Sequence, residues 1–309
     1  MGPPKGRRSR QPATPSEYAQ RSFLKPPVWT WEVPLYFFIG GLAGMAAVIA
    51  LAAEWSAPGS LIVEDALLLA FLGCVLSGPL LILDLGRPLR FLHMLRVFKW
   101  RSPMSVGAWT LMLFSGAVTV AWLSLALDWL AAFPSLRPLF LLALVSSAAL
   151  GGVLATYTGV LLGATAVPVW ARHARSLPVH FGLAGLGSAA AALRLWGHEP
   201  GLDTLLTIAA AGESLLWLGL VSLFWTSHRG GGEGAVVDRV LVRGKAGAAV
   251  QVSAALTGPA SLIILLTAGG VAAAPIFLAG ALLSRYAWLA VGRDSAQDAE
   301  SVFVVTSSS

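Results

Sequence analysis

The chain has little of what soluble proteins and metal-binding proteins depend on. Only 12% of its 309 residues are charged, whereas a soluble globular domain carries about 25%. Its one cysteine, Cys74, excludes an intrachain disulfide and is too few for an iron–sulfur cluster held by this chain alone. The Walker A phosphate-binding pattern is also missing, which argues against direct nucleotide hydrolysis.

The five histidines do not fit a membrane-bound haem, which needs two imidazoles at matching depth on facing helices. His93 and His173 fall in predicted loops, and His180, His198 and His228 fall at predicted helix ends. We therefore expect no haem and no metal in this chain. If the protein takes part in electron transfer, it must use a diffusible organic carrier and the metal centres of partner subunits.

Long apolar runs are what the sequence has instead. Apolar residues make up 56% of the chain and the mean hydropathy is +0.75. The runs are about 20 residues long, which is the length that crosses a bilayer core of roughly 30 Å. We therefore predict an all-α polytopic membrane protein, a bundle of eight transmembrane helices. The predicted helices are 33–53, 66–83, 106–127, 138–167, 178–193, 202–226, 247–270 and 274–291.

Three parts of the sequence differ in composition. Residues 1–28 are rich in Pro, Ser and Arg and have no apolar core, which predicts a disordered basic tail rather than a cleaved signal peptide. Residues 29–293 form the predicted membrane domain and residues 294–309 a C-terminal tail. The Gly/Ala-rich fifth helix is the weakest helix prediction, and Gly269, Gly270 and Pro275 predict the break before the eighth.

The basic residues predict the orientation in the membrane. One side carries 18 of the 21 Lys and Arg residues, the other side carries only Arg137 and Arg194, and Arg285 lies within the last helix. By the positive-inside rule both termini are cytoplasmic, in a cell or inner membrane. The net charge of +6 is thus explained by the lipid bilayer, and we expect no nucleic-acid partner. The same basic surface could instead serve to dock a partner subunit.

Small residues at helical spacing predict close helix contacts. Gly40 and Gly44 form one Gly-x-x-x-Gly pattern, and Gly159 and Gly163 form another. This spacing lets the backbones of neighbouring membrane helices approach each other. No internal duplication is visible in the sequence.

Polar groups on the basic side form one candidate site, because ionisable groups at membrane depth are costly. Asp84 and Arg87 form either a structural ion pair that shapes a turn or a proton or ligand contact. The Tyr157 hydroxyl could donate a hydrogen bond to a quinone carbonyl or belong to an interfacial aromatic belt. Glu32 and Tyr36, at the start of the first helix, are further candidates or simple interface anchors.

Two other ionisable residues lie deeper in predicted helices. Glu213 is near the middle of the sixth helix and needs a partner, water or a proton. Arg285 lies in the half of the eighth helix that is nearer the basic side. A buried pair between them, or a proton path through them, is a hypothesis that the sequence leaves open.

Several ordered motifs resemble the NrfD/PsrC family, the membrane subunits of polysulfide-reductase-like complexes. They are WTWEVPLYFFIGGLAG at 29–44, DLGRP at 84–88, SPMSVGAW at 102–109, YTGVLL at 157–162, Val169-Trp170 and Gly292-Arg293. The resemblance implies a membrane anchor for an iron–sulfur (ferredoxin-like) subunit joined to a molybdopterin-type catalytic subunit. It also implies a menaquinone or ubiquinone, with Tyr157 and polar groups of the first helix as quinone contacts.

Two other functions remain open at this point. A secondary transporter would also have eight helices, glycine breaks and a mid-membrane Glu213, but the sequence shows no inverted repeat. A proton-translocating module of a larger respiratory complex would share the quinone site and add a path through Glu213. The substrate of the catalytic partner and the direction of electron flow belong to other subunits.

Overall fold

The computed structural model describes residues 29–85, 96, 98–100, 102–127, 129–197, 201–229 and 233–302. Eight helices in these ranges are long and apolar enough to cross a membrane, which confirms the predicted all-helical membrane fold. They are α1 (Glu32–Ser56), α2 (Leu61–Leu85), α3 (Pro103–Ala126), α4 (Arg137–Gly163), α5 (Ser176–Leu195), α6 (Leu202–Arg229), α7 (Gly244–Ala268) and α8 (Gly270–Gln297). The predicted tail 1–28 lies outside the described residues.

Short helical segments join some of the long helices. They are Trp129–Ala132 and Pro134–Leu136 before α4, Pro168–Arg172 before α5, and Glu233–Asp238 and Arg239–Leu241 before α7. The predicted fourth helix ran to residue 167, but α4 ends at Gly163. The segment Pro168–Arg172 starts a separate helix because proline is well accommodated at a first helical position.

The last two helices differ from their prediction in where they bend. Gly269 has a φ of +83°, a conformation that glycine adopts without strain, and it separates α7 from α8 as expected. Pro275 lies inside α8 instead of marking its start. A π-helical turn, Leu256–Ala260, interrupts α7 around Pro259, because a proline in a helix interior removes a backbone hydrogen bond.

The eight helices pack as two halves of four that repeat one arrangement. In the first half α1 packs against α2 and α4, and α3 packs against α4; in the second half α5 packs against α6 and α8, and α7 packs against α8. Contacts of α1 with α5 and α8, and of α4 with α5, join the halves. Both halves begin on the basic side, so the repeat is parallel. The packing is thus duplicated although the sequence shows no duplication.

Glycines allow the backbones of the central helices to touch. A Cβ atom built at Gly44 would lie 2.3 Å from the carbonyl oxygen of Gly151, so α1 and α4 meet at these two residues. A Cβ at Gly159 would lie 2.5 Å from the backbone at Leu177, and one at Gly163 would lie 2.7 Å from Ala174. The predicted close contacts are therefore confirmed at Gly44, Gly159 and Gly163, whereas a Cβ at Gly40 would meet only side-chain atoms at 3.7 Å or more.

The two basic residues on the opposite side of the bundle are both paired. Arg137 at the start of α4 forms an ion pair with the buried Glu54 at the end of α1. Arg194 at the end of α5 lies 2.8 Å from Asp203 at the start of α6. These pairs leave the excess of positive charge on the basic side, where α1, α3, α5 and α7 begin. The cytoplasmic orientation of that side stays a prediction.

Candidate functional site

An apolar cavity lies between the four helices of the first half, close to the basic side. Its volume is about 50 Å³, which is room for a few water molecules, and it is partly open, so a larger flat ring would extend out of it. Nearly all of its wall is aliphatic or aromatic, with two phenol groups. The lining residues are Trp29, Val33, Tyr36, Phe37, Leu80, Leu81, Met104, Gly107, Ala108, Tyr157 and Leu161.

Tyr157 reaches into this cavity from α4. Its ring lies directly against Gly107 of α3, where a Cβ atom would come within 2.4 Å of the ring. Its hydroxyl donates a hydrogen bond to the carbonyl oxygen of Pro103, the first residue of α3. The side chain is buried. The absence of a side chain at position 107 is therefore what makes room for the tyrosine.

Tyr36 lines the same cavity from α1. It is 7% exposed, and it shares the cavity with Tyr157. Trp29 closes the cavity at the start of α1 and stacks on Trp170, with ring centroids 5.5 Å apart and an interplanar angle of 18°. Trp29 is thus part of the cavity wall.

The other three predicted site residues are placed differently. Glu32 accepts a hydrogen bond from Thr30 and lies near Tyr286 of α8; within the described residues it is not part of the cavity lining. Asp84 follows the lining residue Leu80 by one turn of α2, and its side chain lies outside the described residues. Arg87 lies entirely outside them, so the predicted Asp84–Arg87 pair stays a prediction.

A second cavity occupies the corresponding place in the other half. It is lined by Ser176, Leu177, His180, Glu213, Leu216, Trp217, Leu220, Val250, Ser253, Ala254 and Trp288, and its volume is about 30 Å³. Each of α5, α6, α7 and α8 contributes to it, as α1 to α4 do to the first cavity. Unlike the first cavity, this one contains a carboxyl group and an imidazole, those of Glu213 and His180.

Glu213 is paired with His180, a residue that the sequence analysis did not select. Glu213 Oε2 and His180 Nδ1 are 2.7 Å apart, and both residues are buried. The sequence signalled that Glu213 needs a partner, but it did not show that α5 turns His180 towards α6. The signal that could have identified His180 is its place on the helix before α6. An isolated carboxylate in a membrane helix calls for a polar partner on a neighbouring helix.

Arg285 does not form the direct pair with Glu213 that we considered. Its guanidinium donates to the carbonyl oxygen of Phe181 at 3.1 Å and lies 3.8 Å from the centre of the Phe181 ring. The residue is 1% exposed, and its Nε and Nη1 atoms have no hydrogen-bond partner among the described residues.

A polar cluster at the basic side ties together the segments before α5 and α7. Asp238 accepts hydrogen bonds from Arg172 Nε at 2.8 Å and from His173 Nε2 at 3.0 Å. Burial alone would raise the pKa of Asp238, but the hydrogen bonds and charges of His173 and Arg172 outweigh burial and lower it. The cluster borders the second cavity, because the His173 ring lies 5.9 Å from that of the lining residue Trp288.

Comparisons with known proteins agree with the motifs. The model of the family described as "Polysulphide reductase, NrfD" matches residues 21–198, which is more than half of the protein. A polysulfide reductase subunit of Wolinella succinogenes is 32% identical over 98 residues, an alignment that covers 30% of this protein and 31% of that subunit. The match thus spans about a third of the length of this relative.

Proposed function

The chain belongs to the NrfD polysulphide reductase family, and we propose that it is the quinone-binding membrane subunit of a respiratory oxidoreductase complex. In this proposal it exchanges electrons between the quinone pool and a docked iron–sulfur subunit, which is linked to a molybdopterin-type catalytic subunit. The similarity to one subunit of a polysulfide reductase supports a complex of several subunits.

The observation that carries the proposal is the meeting of Tyr36 and Tyr157 in one apolar cavity on the basic side. A quinone headgroup is a flat, mostly apolar ring with two oxygen atoms at opposite ends. Such ligands fit pockets with hydrophobic walls and a few well-placed polar groups. Menaquinone or ubiquinone, when bound, would supply the two-electron and two-proton chemistry that this protein's side chains lack.

Tyr157 is suited to either redox form of the ligand. While its proton is donated to Pro103, the phenol oxygen can accept a hydrogen bond from a hydroxyl group. If the proton turns away from Pro103, the same group donates to a carbonyl oxygen. Gly107 fixes the ring position, so the hydroxyl stays aimed at one point as the hydrogen bond reverses.

The polar residues selected in the sequence analysis have a proposed role in charge and proton transfer. Asp84 lies one turn beyond Leu80, and Arg87 follows it. Arg87 could stabilise negative charge on the ligand, and Asp84 or Glu32 could exchange protons with the aqueous phase on the basic side. Since Glu32 does not line the cavity, its part would be at the entrance.

The proposed partners dock at the basic side because the cavity lies there. Electron transfer requires the cluster of the iron–sulfur subunit to approach the quinone, and the helix ends nearest the cavity are the starts of α1 and α3 and the ends of α2 and α4. By the positive-inside prediction this side, and both termini, face the cytoplasm.

Purification of the protein from its native membranes in a mild detergent tests the proposal. Mass spectrometry of the proteins and of the extracted lipids should identify an iron–sulfur subunit, a molybdopterin-type subunit and a bound quinone. A protein that purifies alone and without quinone would contradict the proposal and favour a transporter.

A further inference from the structure

We infer that Trp170, in the short helix before α5, is a positioning residue of the first cavity, because it holds Trp29 in place as part of the cavity wall. The inference rests on the proposed function, since it concerns the affinity of the same cavity for a quinone. It assigns part of that site to the second half of the bundle, because Trp170 and the α8 residues that fix it follow α4 in the chain.

Trp29 depends on side-chain packing for its position, because its backbone is not part of a helix. α1 begins at Glu32, and Trp29 lies in irregular chain before it, where its side chain is half-buried. Its ring is edge-on to that of Phe37, with centroids 6.2 Å apart, and it stacks on Trp170 at 5.5 Å. Phe37 belongs to α1 itself, so of these two contacts the one with Trp170 joins Trp29 to another part of the bundle.

Trp170 is fixed more firmly than Trp29. It is 1% exposed, and its indole Nε1 donates a hydrogen bond to the carbonyl oxygen of Trp288 at 2.8 Å. A Cβ atom built at Gly292 would overlap the Trp170 ring. Gly292 follows Trp288 by one turn of α8, so the acceptor and the space for the ring lie on the same face of that helix. The Trp170 indole therefore cannot shift without losing both its hydrogen bond and its packing.

A fixed wall favours the binding of a flat ring. Trp29 and Phe37 both line the cavity, and aromatic rings pack favourably against a flat ligand when they keep one orientation. A mobile side chain must be ordered when the ligand binds, and this ordering reduces the affinity. Trp170 thus contributes to quinone affinity without lining the cavity. Its loss should weaken binding and leave the turnover number at saturating quinone unchanged, because Tyr36 and Tyr157 are not altered.

Binding of menadione, a soluble naphthoquinone, or of decylubiquinone, a soluble benzoquinone, tests the inference on the complex purified in a mild detergent. Both analogues quench tryptophan fluorescence, and the midpoint of the titration, rather than its amplitude, gives the dissociation constant. We expect Trp170→Leu to raise this constant about twofold to tenfold, the range that the loss of one aromatic pair produces. The KM for the analogue should rise by the same factor, while kcat stays unchanged.

Trp122→Leu is the matched control, because Trp122 of α3 stacks on Phe71 of α2 with the same interplanar angle of 18°. Trp122 lies about 20 Å along α3 from the lining residue Ala108. Both leucine variants remove a stacked ring and should lower the midpoint of thermal unfolding, but only Trp170→Leu should weaken the binding of the analogue. Equal dissociation constants in the two variants would overturn the inference.

A double variant tests whether Trp170 acts through Trp29. Trp29→Leu removes a lining side chain and should weaken binding by itself. Adding Trp170→Leu should not change the dissociation constant further, because residues that act as one unit are not additive. Additive effects on binding would mean that Trp170 acts by another route, and they would refute the positioning role.

Trp170→Phe keeps a ring against Trp29 and removes only the N–H that donates to Trp288. Loss of this hydrogen bond should weaken binding about twofold, which is less than in Trp170→Leu, and the milder change remains measurable if the leucine variant does not assemble. Unchanged binding in both variants would overturn the inference alone. A complex that binds neither analogue in its original form would contradict the proposed function as well.

Discussion

Gly107 of α3 and the ring of Tyr157 in α4 touch so closely that no further atom fits between them. A Cβ atom at position 107 would lie 2.4 Å from Cε1 and 2.6 Å from the hydroxyl oxygen of Tyr157. The contact joins two helices that wall the first cavity, and it fixes the direction of the phenol. The glycine thus belongs to the candidate quinone site although it has no side chain.

Replacing Gly107 by alanine is expected to displace Tyr157 and slow quinone turnover roughly tenfold to hundredfold, because a shift of about 1 Å in a positioning group has effects of that size. The measurement is the quinone-dependent electron-transfer rate of the purified complex. Gly116→Ala is the matched control, since Gly116 lies on the same helix with open space where its Cβ would be. Equal rates in the two variants would exclude a positioning role for Gly107.

Tyr157→Phe removes one hydroxyl and keeps the ring. Loss of a single hydrogen bond costs about 0.5–1.5 kcal/mol, so we expect the quinone turnover to fall by about twofold to tenfold while the complex still assembles. Subunit content after purification and turnover with a soluble quinone analogue measure the two effects. Tyr36→Phe serves as the comparison within the same cavity.

Loss of assembly in Tyr157→Phe would show that the hydroxyl holds α3 to α4 through Pro103 and does not contact a ligand. If the double variant with Tyr36→Phe is no worse than the single one, the two hydroxyls act on the same bound group, because coupled contacts are not additive. Fully additive effects would mean that the two hydroxyls act independently of each other.

The eight helices could be predicted because lipid contact imposes apolar residues. The weakest helix prediction was α5. Its most apolar stretch of 18 residues has a mean hydropathy of 1.3 and is 67% buried, whereas the corresponding stretch of α2 has a mean hydropathy of 2.5 and is 33% buried. A helix shielded by its neighbours does not need large apolar side chains, so Gly and Ala suffice. The weak signal of α5 thus reflects its central position between α1, α4, α6 and α8.

The two cavities differ in how far the sequence could reveal them. Tyr36 and Tyr157 were selected because both lie near the basic ends of their helices, and the packing of α1 with α4 brings them together. The partner of Glu213 depends on how α5 and α6 are rotated about their axes, which an almost uniformly apolar sequence does not encode. The sequence analysis considered a pair of Glu213 with Arg285, but the helix rotation pairs Glu213 with His180.

Gly151→Ala and Gly152→Ala, at adjacent positions of α4, should have opposite effects on stability. A Cβ at Gly151 would lie 2.3 Å from the carbonyl oxygen of Gly44, whereas nothing lies within 4 Å at Gly152. We expect the first change to destabilise the protein by about 1–3 kcal/mol through overpacking. The second should be neutral or stabilise it by up to about 1 kcal/mol, the difference in helix propensity.

Thermal unfolding in detergent, followed by tryptophan fluorescence, measures this difference. A midpoint for Gly151→Ala that equals that of Gly152→Ala would mean that α1 and α4 are not in backbone contact. The comparison needs no assumption about function, so it tests the packing of the first half by itself.

Asp238→Asn tests the polar cluster at the basic side and its pH dependence. In the folded protein His173 and Arg172 hold the pKa of Asp238 below its ordinary value, so the folded state binds fewer protons than the unfolded state as the pH falls. The stabilisation is therefore complete above about pH 3.9, the ordinary pKa of aspartate, and is lost as the pH falls through the lower folded-state pKa.

The asparagine variant keeps an oxygen acceptor but loses the charge, so at neutral pH it should be less stable by about 1–2 kcal/mol. Its stability should also decrease less than that of the original protein between about pH 4 and lower pH. Asp298→Asn is the control, because its contact with Arg239 is 3.4 Å long and both side chains are partly exposed, and such surface pairs contribute little. If both variants unfold alike at neutral and acid pH, the cluster around Asp238 does not hold the segments before α5 and α7 together.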